Sequence, residues 1–226
     1  MSRRQGLTPW QPILPSESTR KIHNRSKVSY RGSIINVINH RVILYESRLE
    51  RNVFLVLMAT VAYASFREQP PTVLFRDANG KDRKHTFDAF LVEPDGYRWA
   101  IDVKPASEVE GTGLRAAHDA IKEQIGAAYA DEYTILTEQH AHPDDVADAR
   151  LILRARRMPD ADADNAVAAV VECLPGWSSV RDVVKQTGKG AAGFNALVRL
   201  IGDHGAEVYQ DARISYAAYV TRAKAT

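Results

Sequence analysis

A single cysteine is all that this 226-residue chain contains. Cys173 has no partner for an intrachain disulfide, and a thiolate zinc site is excluded with it; it reads as a free core thiol. Long apolar runs are missing too. No stretch approaches the roughly 18 consecutive apolar residues of a membrane span, and the opening Met-Ser-Arg-Arg-Gln-Gly is not followed by the apolar core of a secretory signal. No membrane association and a cytoplasmic residence are therefore expected. Strong net charge is absent as well: 30 Lys and Arg stand against 28 Asp and Glu, a balance that says nothing by itself about nucleic acid.

The distribution of charge says more. Arg3, Arg4, Arg20, Lys21, Arg25, Lys27, Arg31, Arg41, Arg48 and Arg51 crowd the first quarter against few acids. Two uses fit: contact with phosphates, which gains affinity by releasing condensed counterions, or a basic tail that keeps the protein in solution. Residues 1–27 also carry Pro9, Pro12 and Pro15 without any periodicity, the texture of an extended arm.

Beyond the arm, apolar spacing predicts a helix over 46–62 with Leu49, Val53, Val56 and Leu57 on one face. Thr72–Arg76, turning at Asn79-Gly80, is expected to pair with the segment from Lys84 to Val92, and the Asp95-Gly96 turn to carry that segment on to Val103 as a three-stranded meander. A helix over Leu114–Tyr129 and a strand over Tyr133–Thr137 complete this part, with Lys122, Gln124 and Tyr129 as candidates for lining a cleft.

The texture changes near Asp144. Helices are expected over 144–157, 162–174, 178–187 and 190–204, separated by turns at Pro175-Gly-Trp177 and Gly188-Lys-Gly190. Strand-like segments Glu207–Gln210 and Ala212–Tyr216 follow. The organisation read from the chain is an arm (1–27), an α/β domain with a mixed sheet (28–143), and a small helical, winged-helix-like domain (144–226), for which a three-helix bundle is the simpler alternative.

The residues that carry chemistry are spaced along the middle part. In Trp99-Ala-Ile-Asp-Val-Lys104 the strand period of two puts Asp102 and Lys104 on one face and Trp99, Ile101 and Val103 on the other. Pro105 ends the strand there. Asp88, in Thr86-Phe-Asp-Ala-Phe-Leu-Val92, would be brought near Asp102 by the hairpin. Glu50 lies on the first helix, on one face with Glu46. Two acids and a lysine ending neighbouring strands suit phosphodiester hydrolysis: hard oxygen ligands hold a divalent cation against the phosphate oxygens, and a lysine orients or activates water. The plainer alternative is that isolated acids are solvated or paired with Arg48 and Arg51.

Four motifs in order, Tyr45-Glu-Ser-Arg-Leu-Glu50, Phe66-Arg-Glu-Gln-Pro70, Thr86-Phe-Asp88 and Ile101-Asp-Val-Lys-Pro105, resemble the amino-terminal domain of TnsA, the transposon-end endonuclease of heteromeric transposases, within the PD-(D/E)XK restriction-endonuclease-like superfamily. The resemblance covers roughly residues 28–140; Phe87 stands where the family usually has proline. It implies a restriction-endonuclease-like core, with Glu50 as the helical active-site acid, Asp88 as the central metal-binding acid, Asp102 as the second acid and Lys104 as the catalytic lysine. Mg²⁺, with Mn²⁺ able to substitute, would be held by Asp88, Asp102, the Val103 carbonyl and Glu50. Gln69 falls on the family's Gln-Pro pair, in a structural role. The implied partners are double-stranded DNA, a DDE transposase (TnsB-like) that handles the 3′ ends while this chain nicks the 5′ side, and an AAA ATPase regulator (TnsC-like) contacted by the carboxy-terminal domain. Two other readings share these residues: a stand-alone defence or restriction-type nuclease, and a non-catalytic DNA-binding adaptor whose acids are structural.

Other patterns carry less. Gly188-Lys-Gly-Ala-Ala-Gly193 lacks the order of a phosphate loop and reads as a turn between helices. His140-Ala-His142 has no third ligand nearby and reads as a solvated loop.

Overall fold

The computed structural model describes residues 12–19 and 30–224. Most of the expected basic arm, including Arg3, Arg4, Arg20, Lys21, Arg25 and Lys27, lies outside the described residues. Among the described residues, no helix is long and apolar enough to cross a membrane.

The chain opens with an antiparallel pair, β1 (Gly32–Ile35) and β2 (Val42–Tyr45). Leu14 bridges to Arg41 alongside it. Helix α1 (Arg48–Thr60) follows, its first turn capped by the Ser47 hydroxyl, which accepts the Glu50 N–H at 3.0 Å. Glu50 in turn accepts the Glu46 N–H at 2.7 Å. Ser47-Arg-Leu-Glu50 thus behaves much like a capping box, which is why the helix starts at Arg48 rather than at 46.

The central sheet has four strands in the order β3 (Ser65–Glu68), β6 (Ala89–Val92), β7 (Arg98–Val103), β8 (Glu132–Leu136). The first three are antiparallel neighbours, and β8 runs parallel to β7. A parallel neighbour needs a crossover. It is supplied by α2 (Ala106–Val109) and α3 (Leu114–Gln124).

The expected three-stranded meander does not form. Strand β4 (Val73–Arg76) pairs only with β5 (Asp82–His85), as a separate two-stranded ribbon. The run from Lys84 to Val92 breaks at Thr86–Asp88, where Phe87 is fully buried and the chain turns from the ribbon into the sheet. Strand β6 then takes β3 as its second neighbour.

The sheet is covered on both faces. Phe54, Met58, Leu91, Ile101 and Val103 pack on one side with α4 (Pro143–Arg156), while Val73, Phe75, Phe87, Ala100, Ile121 and Tyr133 form a second cluster between the ribbon, the sheet and α3. Burying each large apolar side chain is worth about 1.5–3 kcal/mol, so both layers contribute to holding the sheet.

A third cluster joins α5 (Ala161–Glu172), α6 (Val180–Thr187) and α7 (Gly190–Gly202) through Val167, Val171, Val183 and Leu197. A small antiparallel sheet in the order β10 (Ala206–Val208), β11 (Tyr219–Arg222), β9 (Ser178–Ser179) closes it. Gly188, at φ 64°, ends α6 in the left-handed conformation that glycine adopts without strain. The expected strand over Ala212–Tyr216 is absent. The Asp148 carboxylate on α4 accepts the Ile214 N–H at 3.0 Å and Ile214 is buried against the first cluster, so this segment is drawn onto α4 and the strand forms later. Cys173 is exposed, not a core thiol. Ala163, Val167 and Val171 mark the inward face of α5 at a spacing of four, and Cys173 falls off that face at the helix end.

Candidate metal centre

Strand β7 alternates as its period requires. Trp99, Ile101 and Val103 face the α1 layer, while Ala100 and Asp102 face α3 and the ribbon. Asp102 is only 5% exposed, buried rather than lining an open cleft. Its Oδ2 accepts hydrogen bonds from His85 Nε2 at the end of β5 and from His118 Nε2 in α3, both at 2.6 Å. A carboxylate can only accept, so both rings carry their proton on Nε2 here. Burial opposes the charge on Asp102, but the hydrogen bonds from His118 and His85, reinforced by their charge, outweigh it and hold the carboxyl below the usual carboxylate range.

The histidines sit in an aromatic frame. Phe87 meets His85 edge-on at 4.6 Å and His118 at 5.3 Å between ring centres. Tyr129 stacks on the same Phe87, and burial pushes its hydroxyl up to about 12. Among the described residues, His85, Asp102 and His118 are the one group of three potential ligands whose atoms lie within 4.8 Å of one another. Sequence reasoning missed both histidines. His85 ends an unremarkable polar strand and His118 lies in an amphipathic helix, and no short-range spacing links them; only the docking of β5 and α3 on β7 does.

Asp88 occupies the bend before β6, where its Oδ2 accepts the Val103 N–H at 2.7 Å. Burial first, then the charges of Asp102 and Glu50, push its carboxyl up to about 8, against the opposing pull of the Val103 N–H and Lys104. Glu50 is raised too, mainly by burial, with its hydrogen bonds to Glu46 and Ser47 pulling the other way. The four expected residues thus feel one another's charge, yet Glu50, Asp88 and Asp102 do not draw together as tightly as the histidine group. Lys104 is half-buried, its Nζ 3.9 Å from Glu108.

Neighbouring residues have structural work. Gln69, at φ 40°, donates its N–H to the Asp88 carbonyl at 2.9 Å and accepts the Ser18 hydroxyl on its side chain at 2.9 Å, tying the chain near residue 18 to the bend. Gln124 both accepts the Arg76 N–H and donates to the Arg76 carbonyl at 2.8 Å, fastening α3 to the ribbon. Lys122 is exposed. His140 bonds back to Thr137, and His142 caps α4.

In comparison with known proteins, no family model and no curated protein matches the chain.

Proposed function

We propose that the chain is a metal-dependent DNA endonuclease, the TnsA-like nicking subunit of a heteromeric transposase. One observation carries the reading: the Asp88 carboxylate is anchored on the N–H of Val103, between Asp102 and Lys104, and is pushed far up in pKa by burial and by the negative charge of Asp102 and Glu50. Apart from the two histidines on Asp102, these crowded acids have a single nearby lysine, and a hard divalent cation would supply further positive charge beside Asp88.

On this reading Asp88 is the principal ligand of Mg²⁺ or Mn²⁺, assisted by Asp102, Glu50 and the Val103 carbonyl. The cation would neutralise phosphate charge and acidify bound water. Lys104 would orient a water toward the phosphorus. Glu50 stays within the first turn of α1, where it also caps the helix, and acts through charge rather than as an acid. The mixed sheet, with α1 on one face and α3 on the other, suits a restriction-endonuclease-like core, and residues 144–226 suit a winged-helix-like domain that docks an ATPase regulator of the AAA class. A DDE transposase would position the chain on double-stranded DNA in the cytoplasm.

The capping role of Glu50 and the histidine clasp on Asp102 favour a second reading, a non-catalytic DNA-binding adaptor. A nicking assay separates them. Full-length protein is incubated with Mg²⁺, a candidate partner transposase and DNA carrying transposon ends. The nuclease reading expects 5′-side nicks that Asp88→Ala and Lys104→Ala abolish; absence of nicks, or nicks unaffected by either substitution, leaves the adaptor.

A further inference from the structure

We infer that His85, Asp102 and His118 form a binding site for one borderline divalent transition-metal ion, Zn²⁺ or an ion of similar preference, distinct in chemistry from a Mg²⁺ site. The inference does not rest on the nuclease reading: Asp102 is common to both sets of residues, but the two histidines that define this site belong to it alone.

A carboxylate offers two oxygens to two donors, yet both imidazoles converge on the one atom Oδ2, at 2.6 Å each, and the ring centres lie 5.9 Å apart. The three ligand atoms come from three elements, β5, β7 and α3, so their meeting is a product of the tertiary fold and not of local sequence. Asp102 and His118 are almost fully buried, at 5% and 6% exposure. They are held against an apolar wall that includes Phe87, Ala100 and Ile121. Their mutual hydrogen bonds already satisfy these buried groups, and a metal ion at the same point would replace those bonds with three ligand bonds at once.

Ligand chemistry selects the ion. Two imidazoles and one carboxylate suit Zn²⁺ and its neighbours in the first transition row, whereas Mg²⁺ prefers oxygen and gives up water reluctantly. Ligands on a tetrahedral ion with bonds near 2.1 Å stand about 3.4 Å apart, so each ring would retreat by less than about 1 Å from its present contact. Each Nε2 would exchange its proton for the metal, a neutral ring moving that proton to Nδ1.

His85 is the least buried of the three and borders an open groove of ≈ 810 Å³ between the ribbon and α3, alongside Lys84, Gly113, Leu114 and Ala117. An ion can enter there, and a site with three protein ligands keeps at least one position for water, the pattern of catalytic rather than purely structural zinc sites.

The test uses full-length protein stripped with a chelator, titrated with Zn²⁺ by calorimetry in excess Mg²⁺, and separately with Co²⁺ followed by visible absorption. One equivalent of Zn²⁺ should bind despite the Mg²⁺, and Co²⁺ should develop ligand-field bands. His85→Gln should weaken Zn²⁺ binding by more than the about 10–100-fold that loss of an outer-shell partner costs, and His118→Gln should do the same. Asp88→Ala should leave the zinc affinity within severalfold of wild type while removing any nuclease activity, so failure of one reading is separable from failure of the other. His85 is partly exposed, so its substitution reports even where His118→Gln does not fold. No zinc binding in excess Mg²⁺, or binding that survives His85→Gln unchanged, overturns the inference.

Discussion

The carboxylate of Asp88 accepts the backbone N–H of Val103 at 2.7 Å, which pins the acid at the start of β6 to the residue between Asp102 and Lys104 on β7. Asp88 is therefore held in place by the backbone, and its acidity is open to measurement. Its folded pKa is raised to about 8, well above the unfolded value of about 3.9. A raised acid is protonated in the native state and ionised in the unfolded state between those values, so its contribution to stability is complete below pH 4 and is lost as pH rises through 8. In chelator, Asp88→Asn, which keeps the acceptor for Val103, should be more stable than wild type by more than about 1 kcal/mol at pH 8.5 and should show a flatter decline from pH 5 upward. The difference between the two proteins is the readout, because burial raises Glu50 and Glu68 as well. Parallel urea-denaturation profiles across this range would contradict the raised pKa that burial, with the charges of Asp102 and Glu50, gives Asp88.

Asp102 and Lys104 share a strand face in sequence but not an environment. Asp102→Ala should destabilise the protein by about 1–3 kcal/mol, because it strands two largely buried imidazole donors. Lys104→Ala removes one long ion-pair contact at the end of β7 and should cost under about 0.5 kcal/mol. Thermal melts in chelator compare them directly. Equal losses would mean that the histidine clasp adds nothing to stability.

Local signals made much of this architecture legible. The Asp95-Gly96 turn, the alternation of β7, and the helices of the last third bounded by Pro175-Gly176 and Gly188 all follow from short-range rules, and the structure has them within a few residues. What failed was long-range. Strands β1, β2 and β3 span four residues each, too short for alternation to stand out. The apparent meander broke at Phe87 because a buried aromatic, not a turn residue, marks the passage from ribbon to sheet. At the site, the sequence pointed to Asp102 and Lys104 through the strand period and to Asp88 through the expected hairpin, but nothing local links His85 and His118 to Asp102. The capping sequence at Ser47–Glu50 was readable and would have warned that Glu50 has a structural use.

Helix α4 binds the first part of the chain to the last, which makes the site of truncation decisive. Val146, Ala149, Ile152 and Leu153 belong to the cluster that includes Phe54 and Met58, and Arg156 donates to the Met58 carbonyl at 3.0 Å. A chain ending after His142 would expose that face of α1, whereas one ending after Met158 keeps it covered. The longer fragment should be soluble with a cooperative melt, and the shorter should aggregate or lose its sharp transition. Matching melts for both fragments would show that the expected boundary at 143 is the physical one.

The groove beside His85 also carries a prediction about DNA. Arg76 and Arg83 border it but are engaged by Asp82 and Asp77, at 3.1 and 2.7 Å. Lys84, exposed on β5 between them and His85, makes no ion pair among the described residues. A cation in that position is available to a phosphate, and phosphate contacts set affinity and register without reading sequence. If the groove follows the DNA backbone, Lys84→Gln should weaken binding equally on two unrelated duplexes and reduce the slope of log K against log salt by about 0.9, the value for one released counterion. Lys122→Gln, on the exposed face of α3 and outside the groove, serves as the control and should leave the slope unchanged. Fluorescence anisotropy between low and moderate salt gives both slopes. Equal slopes for wild type and Lys84→Gln would place the phosphate contacts elsewhere on the protein and leave the groove as an approach to the metal site alone.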